Sequence, residues 1–532
     1  MNAFLAQWSL LSLTALPPAT EYTAAPGSTG FTQAPFHTLD YLVLVGYLLI
    51  LVYMGFYFAK RNTSTDDFFL AGRRIPWWAA ALSVFSTNLS AVTFMAIPAK
   101  AFGYNWLSIL VNLGIILVTP VTVYYFLPLY RRLNVTSIYE YLERRFGPEM
   151  RLYGSISFTI LQIAKMGIFL LLPSLALSTV TGVNIYLCIT VMGLLCTVYT
   201  VLGGIEAVVW TDVLQSIVLA GGGLLCIGLI LAAEDFNFGG MWDLAVSENK
   251  FHIFTMAGGL KSDVFWVWII GGFFIQLVPF TSDQVPMQRL LTTPTERSAA
   301  RAVWAHAAIV VPASLLFFGL GTALFIFYHS RPEMLPPSGQ NDIIVPWFIA
   351  TRLPIGLAGL VIAGVFAATM STVDSGMHSI ATSLVTDVYS KLRPDANDKT
   401  RLTMARRITM IAGVLGTLSA YLVSRQDAKS LWDLILLFMA LLGSSLAGVF
   451  LLGVFTKRAN TVGVAIGVAA SVITLIVIKS VENAPLHGIL TAAVGVLSCV
   501  IVGYFASLCF STTERELVGL TFSTLKKVES QS

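Results

Sequence analysis

The sequence is short of charge. Only 11% of its 532 residues are Asp, Glu, Lys or Arg, against about 25% in an ordinary soluble domain. A soluble chain of this length would fold as several domains, each needing a charged surface, and so little charge excludes that arrangement. Cysteine is scarce as well. Cys188, Cys196, Cys226, Cys499 and Cys509 all lie in apolar runs without a Cys-x-x-Cys pair. That pattern excludes a disulfide framework or zinc site and reads as small apolar thiols. No Lys or Arg precedes Lys60, so the apolar run Trp8 to Leu16 lacks the basic flank of a signal peptide. Residues 1–37 are read as an external tail, with a cleaved signal as the alternative. The net charge of +4 is spread over short loops and suggests no nucleic-acid partner.

Apolar sequence is plentiful. Hydrophobic residues make up 56% of the chain, and the mean hydropathy is +0.78. Many runs reach the roughly 20 residues that cross a bilayer as a helix. About 13 membrane segments are expected, near 41–59, 76–100, 106–129, 152–180, 184–202, 208–232, 263–286, 300–328, 346–389, 404–424, 431–455, 461–479 and 487–510. The 346–389 segment exceeds one span and is expected to continue into the cytoplasm. With the N-terminus outside and the C-terminus inside, 23 Lys and Arg fall in cytoplasmic loops and 6 in external ones. The opposite orientation would invert that bias. The organisation is thus an external tail at 1–37, a membrane domain at 38–510 and a cytoplasmic tail at 511–532.

Polar residues inside the spans mark function, since a charge there costs at least roughly 2.5–3.5 kcal/mol. The second segment reads Phe85-Ser86-Thr87-Asn88-Leu89-Ser90-Ala91-Val92-Thr93 at its centre. Ser and Thr can bond back to their own helix, but this cluster points to a broken, site-forming helix. Five segments later come Gly271-Gly272, Gln276 and Pro279 to Gln284, with Pro279 expected to break the helix. Two interrupted segments five apart are what a five-plus-five inverted repeat predicts.

The ninth segment carries Ser371-Thr372-Val373-Asp374-Ser375. Spacings of three and four place Ser371, Asp374 and Ser375 on one helix face, with Thr372 beside it. These hard oxygen ligands, with a single carboxylate, suit a small monovalent cation better than a divalent one. A polar packing seam is the plainer alternative, though it would not need Asp374. Asp212, in Gly203-Gly204-Ile205-Glu206-Ala207-Val208-Val209-Trp210-Thr211-Asp212, could be a helix N-cap. Lys165 sits mid-segment, too deep to snorkel easily, and needs an anionic partner or a water-filled cavity.

Over about residues 38–510 the chain resembles the solute:sodium symporter family. The resemblance rests on Asp66-Asp67-Phe68-Phe69-Leu70-Ala71-Gly72-Arg73 with Pro76-Trp77-Trp78, the Gly203 to Asp212 run, and Gln288-Arg289. Met370 to Ser375 with Thr386-Asp387-Val388-Tyr389, and Gly448 to Lys457, complete it. It implies an all-α polytopic membrane protein with a LeuT-type core of two inverted five-helix repeats, one helix before the core and two after. It implies a main sodium site formed by carbonyls of Ser86, Leu89 and Ala368 and hydroxyls of Ser371 and Thr372. A second sodium site in some members uses the positions of Asp212, Ser371, Asp374 and Ser375. Asp374 stands where a neutral hydroxyl residue is common, so stronger cation binding and proton coupling both stay open.

Pocket positions of the family match Asn88, Ser90, Thr93, Asn112, Lys165, Gln276 and Phe280. The sialic acid branch looks nearest, through Phe94-Met95 and Ile97-Pro98-Ala99-Lys100-Ala101. That branch uses an Arg where this chain has Lys165. Sugar branches have a Gln where this chain has Leu436 and a Glu where it has Asn112, which argues against a plain hexose. The function implied is sodium-coupled import of a small polar solute, acidic or sugar-like, by alternating access. A monocarboxylate, polyol or vitamin-like solute is the alternative cargo, and a transporter-like sensor the alternative class. Sodium ions are the only cofactor expected; the partners are the solute, sodium and the bilayer, and a monomer suffices. His306 and His378 lack an evident catalytic set, so no enzyme activity is expected.

Overall fold

A computed structural model describes residues 37–88, 91–232, 238–336, 341–425, 439–481, 486–510 and 517–524. The described residues form helices and connecting turns, with no strand among them. Ten helices are long and apolar enough to cross a membrane, and Met439–Phe455 is a shorter apolar helix. Their outer surfaces carry exposed apolar side chains such as Leu42, Leu49, Ile217, Leu224 and Ile473. Such a surface is stable in hydrocarbon rather than in water. The chain is a multi-pass membrane protein.

The helices run as follows. α1 is Thr38–Ala59, and α2 is the short Thr65–Leu70. α3, Trp77–Asn88, and α4, Ala91–Gly103, share what the sequence suggests is one segment. α5 is Ile109–Arg132, α6 Tyr139–Phe146 and α7 Pro148–Thr181. α8, Ile185–Leu231, runs for 47 residues. α9 is Phe238–Ser247, α10 Phe265–Ser282, α11 Gln284–Leu291 and α12 Glu296–His329. α13 is Ile344–Arg352, α14 Leu357–Leu392 and α15 Asp398–Ser424. α16 is Met439–Phe455, α17 Thr461–Ser480 and α18 Thr491–Cys509. α14 lies innermost, with 88% of its apolar window buried against 28% for α1 and for α15.

Three boundaries differ from the sequence expectation. α10 continues through Pro279 and stops at Asp283, which is extended at φ −99°, ψ 124°. Proline removes one backbone donor, but three residues more of helix form before the chain turns. The 346–389 segment is two helices, because Pro354 has no N–H to continue α13 and Gly356 takes φ 86°. The segments at 184–202 and 208–232 meet at a kink in α8 at Gly204, whose φ 58°, ψ −161° is non-helical and suits only glycine, so the second helix begins at Ile205. Asp212 therefore sits inside a helix rather than capping one.

Close crossings fix the core. A Cβ on Gly114 or on Gly272 would lie within 3 Å of the other helix's backbone, so α5 and α10 touch main chain to main chain. At one end of the bundle, α2, α6, α11 and α14 are knitted by buried hydrogen bonds. His378 Nε2 lies 2.8 Å from Phe68 O, and Gln288 Nε2 donates to Phe69 O and Thr382 Oγ1. Residues 517–524 return to this end: Tyr141 OH donates to Leu520 O at 3.1 Å, and Phe522 packs on Tyr125.

Candidate functional site

The described residues of α3 run to Asn88, and carbonyls of its last turn can reach a neighbouring helix. They face α14. Ser371 Oγ donates to Ser86 O at 3.2 Å and to Ala368 O at 2.9 Å. Thr372 Oγ1 lies 3.3 Å from Thr87 O and 3.4 Å from Ala368 O. Three carbonyls and two hydroxyls thus converge between two helices. Hydroxyls can turn their lone pairs to an ion, since they accept as well as donate. Of the predicted main-site residues, Ser86, Ala368, Ser371 and Thr372 come together, while Leu89 lies outside the described residues. The Thr87 carbonyl was not anticipated; its signal was its place in the Ser86-to-Asn88 run.

One turn further along α14 lies a charged cluster. Asp212, Asp374, Ser375 and Arg289 are all fully buried. Arg289 Nη2 is 3.1 Å from Asp212 Oδ2, its Nε donates to Ser83 Oγ at 2.7 Å, and its Nη1 donates to Val285 O. Ser83 Oγ donates in turn to Asp212 Oδ2 at 2.5 Å. Ser375 Oγ touches Arg289 and Ser371 O and lies 3.1 Å from Asp374 Oδ1. Tyr199 OH donates to Asp374 Oδ2 at 2.6 Å. The predicted set Asp212, Ser371, Asp374 and Ser375 is thus assembled, with an unforeseen guanidinium in its midst. Arg289 followed an apolar span, where a basic residue reads as a loop flank; its burial depends on how α11 tucks beneath α3 and α14. Two buried carboxylates face one guanidinium, so the second carboxylate needs either a proton or a further cation to be stable there. Asp212 Oδ1 is buried without a hydrogen-bond partner.

The predicted solute residues fall in separate places. Asn88 is exposed at the end of α3. Asn112 Nδ2 donates to Ser314 Oγ at 3.1 Å, and Gln276 Nε2 to Val111 O at 3.4 Å, both at the α5 crossings. Lys165 Nζ is 3.5 Å from Asp283 Oδ2, and Gln162 Nε2 is 3.2 Å from both oxygens of the same carboxylate. Lys165 therefore has an internal anionic partner. Phe280 has no exposed surface and stacks on His306, ring centroids 5.2 Å apart. A solute contact at Phe280 is not supported by that burial. Ser90 and the side chain of Thr93 lie outside what is described.

Beside Asp283 the chain is pinned. Tyr130 OH donates to Thr281 O at 2.6 Å and Tyr139 OH to Ser282 O at 3.2 Å. Gln284 accepts from Ile138 N at 2.9 Å and donates to Thr136 O. Tyr130, Tyr139, Thr281 and Gln284 have no exposed surface, so this end of the bundle is closed.

Residues 68–470 match the model of the Sodium:solute symporter family. The chain is 36% identical over 483 residues to the sodium/sialic acid symporter NanT of Aliivibrio fischeri, covering 89% of this chain and 94% of that one. It is 34% identical over 482 residues to the sodium/sialic acid symporter SiaT of Proteus mirabilis, with 90% and 97% covered. A solved Na+-coupled sialic acid symporter, in a substrate-bound outward-open state, superposes with TM-score 0.85 at 34% identity, covering 90% of this chain and 100% of that one. Mhp1, a nucleobase-cation-symport-1 family transporter, shares the fold at TM-score 0.56 and 16% identity. By its residues, by its fold and by these likenesses, the chain belongs to the sodium:solute symporter family.

Proposed function

We propose that this protein is a sodium-coupled symporter that imports sialic acid by alternating access. The observation that carries the sodium half is the meeting of Ser86, Thr87 and Ala368 carbonyls with the Ser371 and Thr372 hydroxyls. That set bridges α3 and the innermost helix, so an ion there stabilises one arrangement of the two over another. A ligand drives such a change only through its differential affinity for the two states. The sialic acid half is supported by the two relatives and by Lys165, a cation able to meet a carboxylate.

The remaining parts of the reading follow. The N-terminus lies outside and the C-terminus inside, about 13 helices cross the membrane, and two inverted five-helix repeats form the core. The closed end of the bundle, with α2, α6 and α11, is then the cytoplasmic gate. A membrane potential, negative inside, contributes about 2.3 kcal/mol per sodium per 100 mV. Asp212, Ser371, Asp374 and Ser375 hold a second sodium, favoured by the second buried carboxylate and by the unpartnered Asp212 Oδ1. Asn88, Asn112, Lys165 and Gln276 contact the solute. A monomer inserted in the lipid bilayer carries out the cycle, without enzymatic chemistry.

Uptake of labelled N-acetylneuraminic acid into proteoliposomes tests this. Uptake should require an inward sodium gradient, and equal uptake without sodium would sink the coupling. Unlabelled hexoses, polyols and monocarboxylates added as competitors rank the cargo. For the second sodium site, Asp374→Ala should weaken apparent sodium affinity and lower the Hill slope; no change in either removes that site.

A further inference from the structure

The Lys165 ammonium does not wait in open solvent. Its partner Asp283 stands at the joint between α10 and α11, and the pair is half-hearted by its geometry. At 3.5 Å it is well beyond the roughly 2.7–2.9 Å of a strong charge-assisted hydrogen bond. Both side chains keep some exposure, 16% for Lys165 and 8% for Asp283. The Asp283 carboxylate has other employment: Oδ1 accepts from Val285 N at 2.9 Å, capping α11, and both oxygens meet Gln162 Nε2. Losing Lys165 would leave it hydrogen-bonded. An ammonium with three donors held by one distant carboxylate oxygen is open to exchange.

We propose that Asp283 is a placeholder carboxylate, which Lys165 holds until the carboxylate of the incoming solute takes its place. This rests on the acidic-solute reading of Lys165. The exchange matters because of where Asp283 sits. The residues on either side of it are those held by Tyr130, Tyr139, Ile138 and Thr136. Asp283 itself is tied by its side chain to α7. Solute binding at Lys165 removes the ion pair between α7 and that joint and leaves the Gln162 contact and the local cap on Val285 in place. α10 and α11 then hinge at Asp283 more freely, and the cytoplasmic gate opens. Asp283 is in this account a positioning residue: it does not touch the solute, yet it sets both the solute's affinity and the timing of the gate.

The test is Asp283→Asn, which preserves the helix cap, since Asn caps as well as Asp, and a hydrogen-bonding partner for Gln162, but removes the competing charge. With sodium present, the variant should bind N-acetylneuraminic acid about 5- to 10-fold more tightly than wild type, the scale of a partly exposed ion pair. Its gate should open without solute, read as faster labelling of a cysteine introduced near Gln284 in the absence of solute, because the tie is already gone. Binding of the uncharged methyl ester should change little between the two proteins. Gln162→Leu, which removes the carboxylate's other partner on α7 and leaves Asp283 more fully to Lys165, should shift affinity the opposite way by a smaller factor, and serves if Asp283→Asn does not fold. A wild type that binds N-acetylneuraminic acid while Asp283→Asn binds it no more tightly, or Gln162→Leu no more weakly, overturns the placeholder alone. Equal tightening for acid and methyl ester also overturns it. A wild type that binds neither compound overturns the acidic-sugar reading and the placeholder with it.

Discussion

Removing the Ser371 hydroxyl should uncouple sodium from solute without disturbing the rest of the helix. Ser371 Oγ lies between Ala368 O and Ser86 O, at 2.9 and 3.2 Å, so it is the atom that joins α14 to α3. A hydrogen-bonding group facing an ion is worth about 1.5–3 kcal/mol. Ser371→Ala should therefore raise the sodium Kd by about 10- to 150-fold. Linkage makes a second demand. If sodium tightens the solute by some factor, the solute tightens sodium by the same factor. In Ser371→Ala both factors should shrink together. Isothermal titration of purified protein, sodium with and without solute and solute with and without sodium, measures all four constants. Ser371→Thr, which restores the hydroxyl, should recover most of the loss. A sodium Kd within about twofold of wild type in Ser371→Ala would refute the assignment of this hydroxyl.

Three other outcomes are expected. Breaking the buried pair by Arg289→Met should cost about 3–5 kcal/mol of stability, and the double change Arg289→Met with Asp212→Leu should cost clearly less than the sum of the single changes; additive losses in denaturant unfolding would contradict the pairing. Tyr139→Phe removes the donor that holds Ser282 O, so a cysteine introduced near Gln284 should become labelled faster from the cytoplasmic side, and an unchanged labelling rate would speak against a gate there. Lys250, in the loop after α9, is buried with Nζ 2.6 Å from Phe102 O, and burial pushes its pKa down to about 8 while Glu248 opposes the shift. The unfolded chain holds that proton up to its ordinary value near 10.4, so stability should rise with pH between about 8 and 10 by at most about 1.4 kcal/mol per unit. The difference between wild type and Lys250→Met should carry that slope, and a flat difference would show that Lys250 is not charged at neutral pH in an unfavourable setting.

Much of the molecule was legible before its structure. Charge scarcity and apolar runs suffice for a membrane protein, because hydrocarbon admits little else. The Ser371 stripe was legible because helical spacing alone puts those side chains on one face, and the polar run at Ser86 to Asn88 because such a run is costly in an unbroken membrane helix. What failed depended on three-dimensional placement. For Asp212 the N-cap alternative falls away, because the helix after the Gly204 kink begins well before it. Pro279 looked like the break, but a proline removes only one bond, and the turn came at Asp283 where a side chain could cap the next helix. Hydropathy runs unbroken through the long ninth segment, whereas the break comes from backbone constraints at Pro354 and Gly356. Lys165 was known to need an anion, but no local pattern could select Asp283, 118 residues away.

The first helix lies at the edge of the bundle, with 28% of its apolar window buried. Its Asp40, almost fully buried, accepts from Gly356 N at 2.7 Å and Gly359 N at 2.8 Å through a single oxygen. That carboxylate is a rivet through the free N–H groups at the start of α14. α1 is consequently a lever attached to the helix that carries the ion ligands. A fluorescent label placed on the lipid-facing side of α1, far from any ligand, should report the displacement of the ion-binding helix in real time.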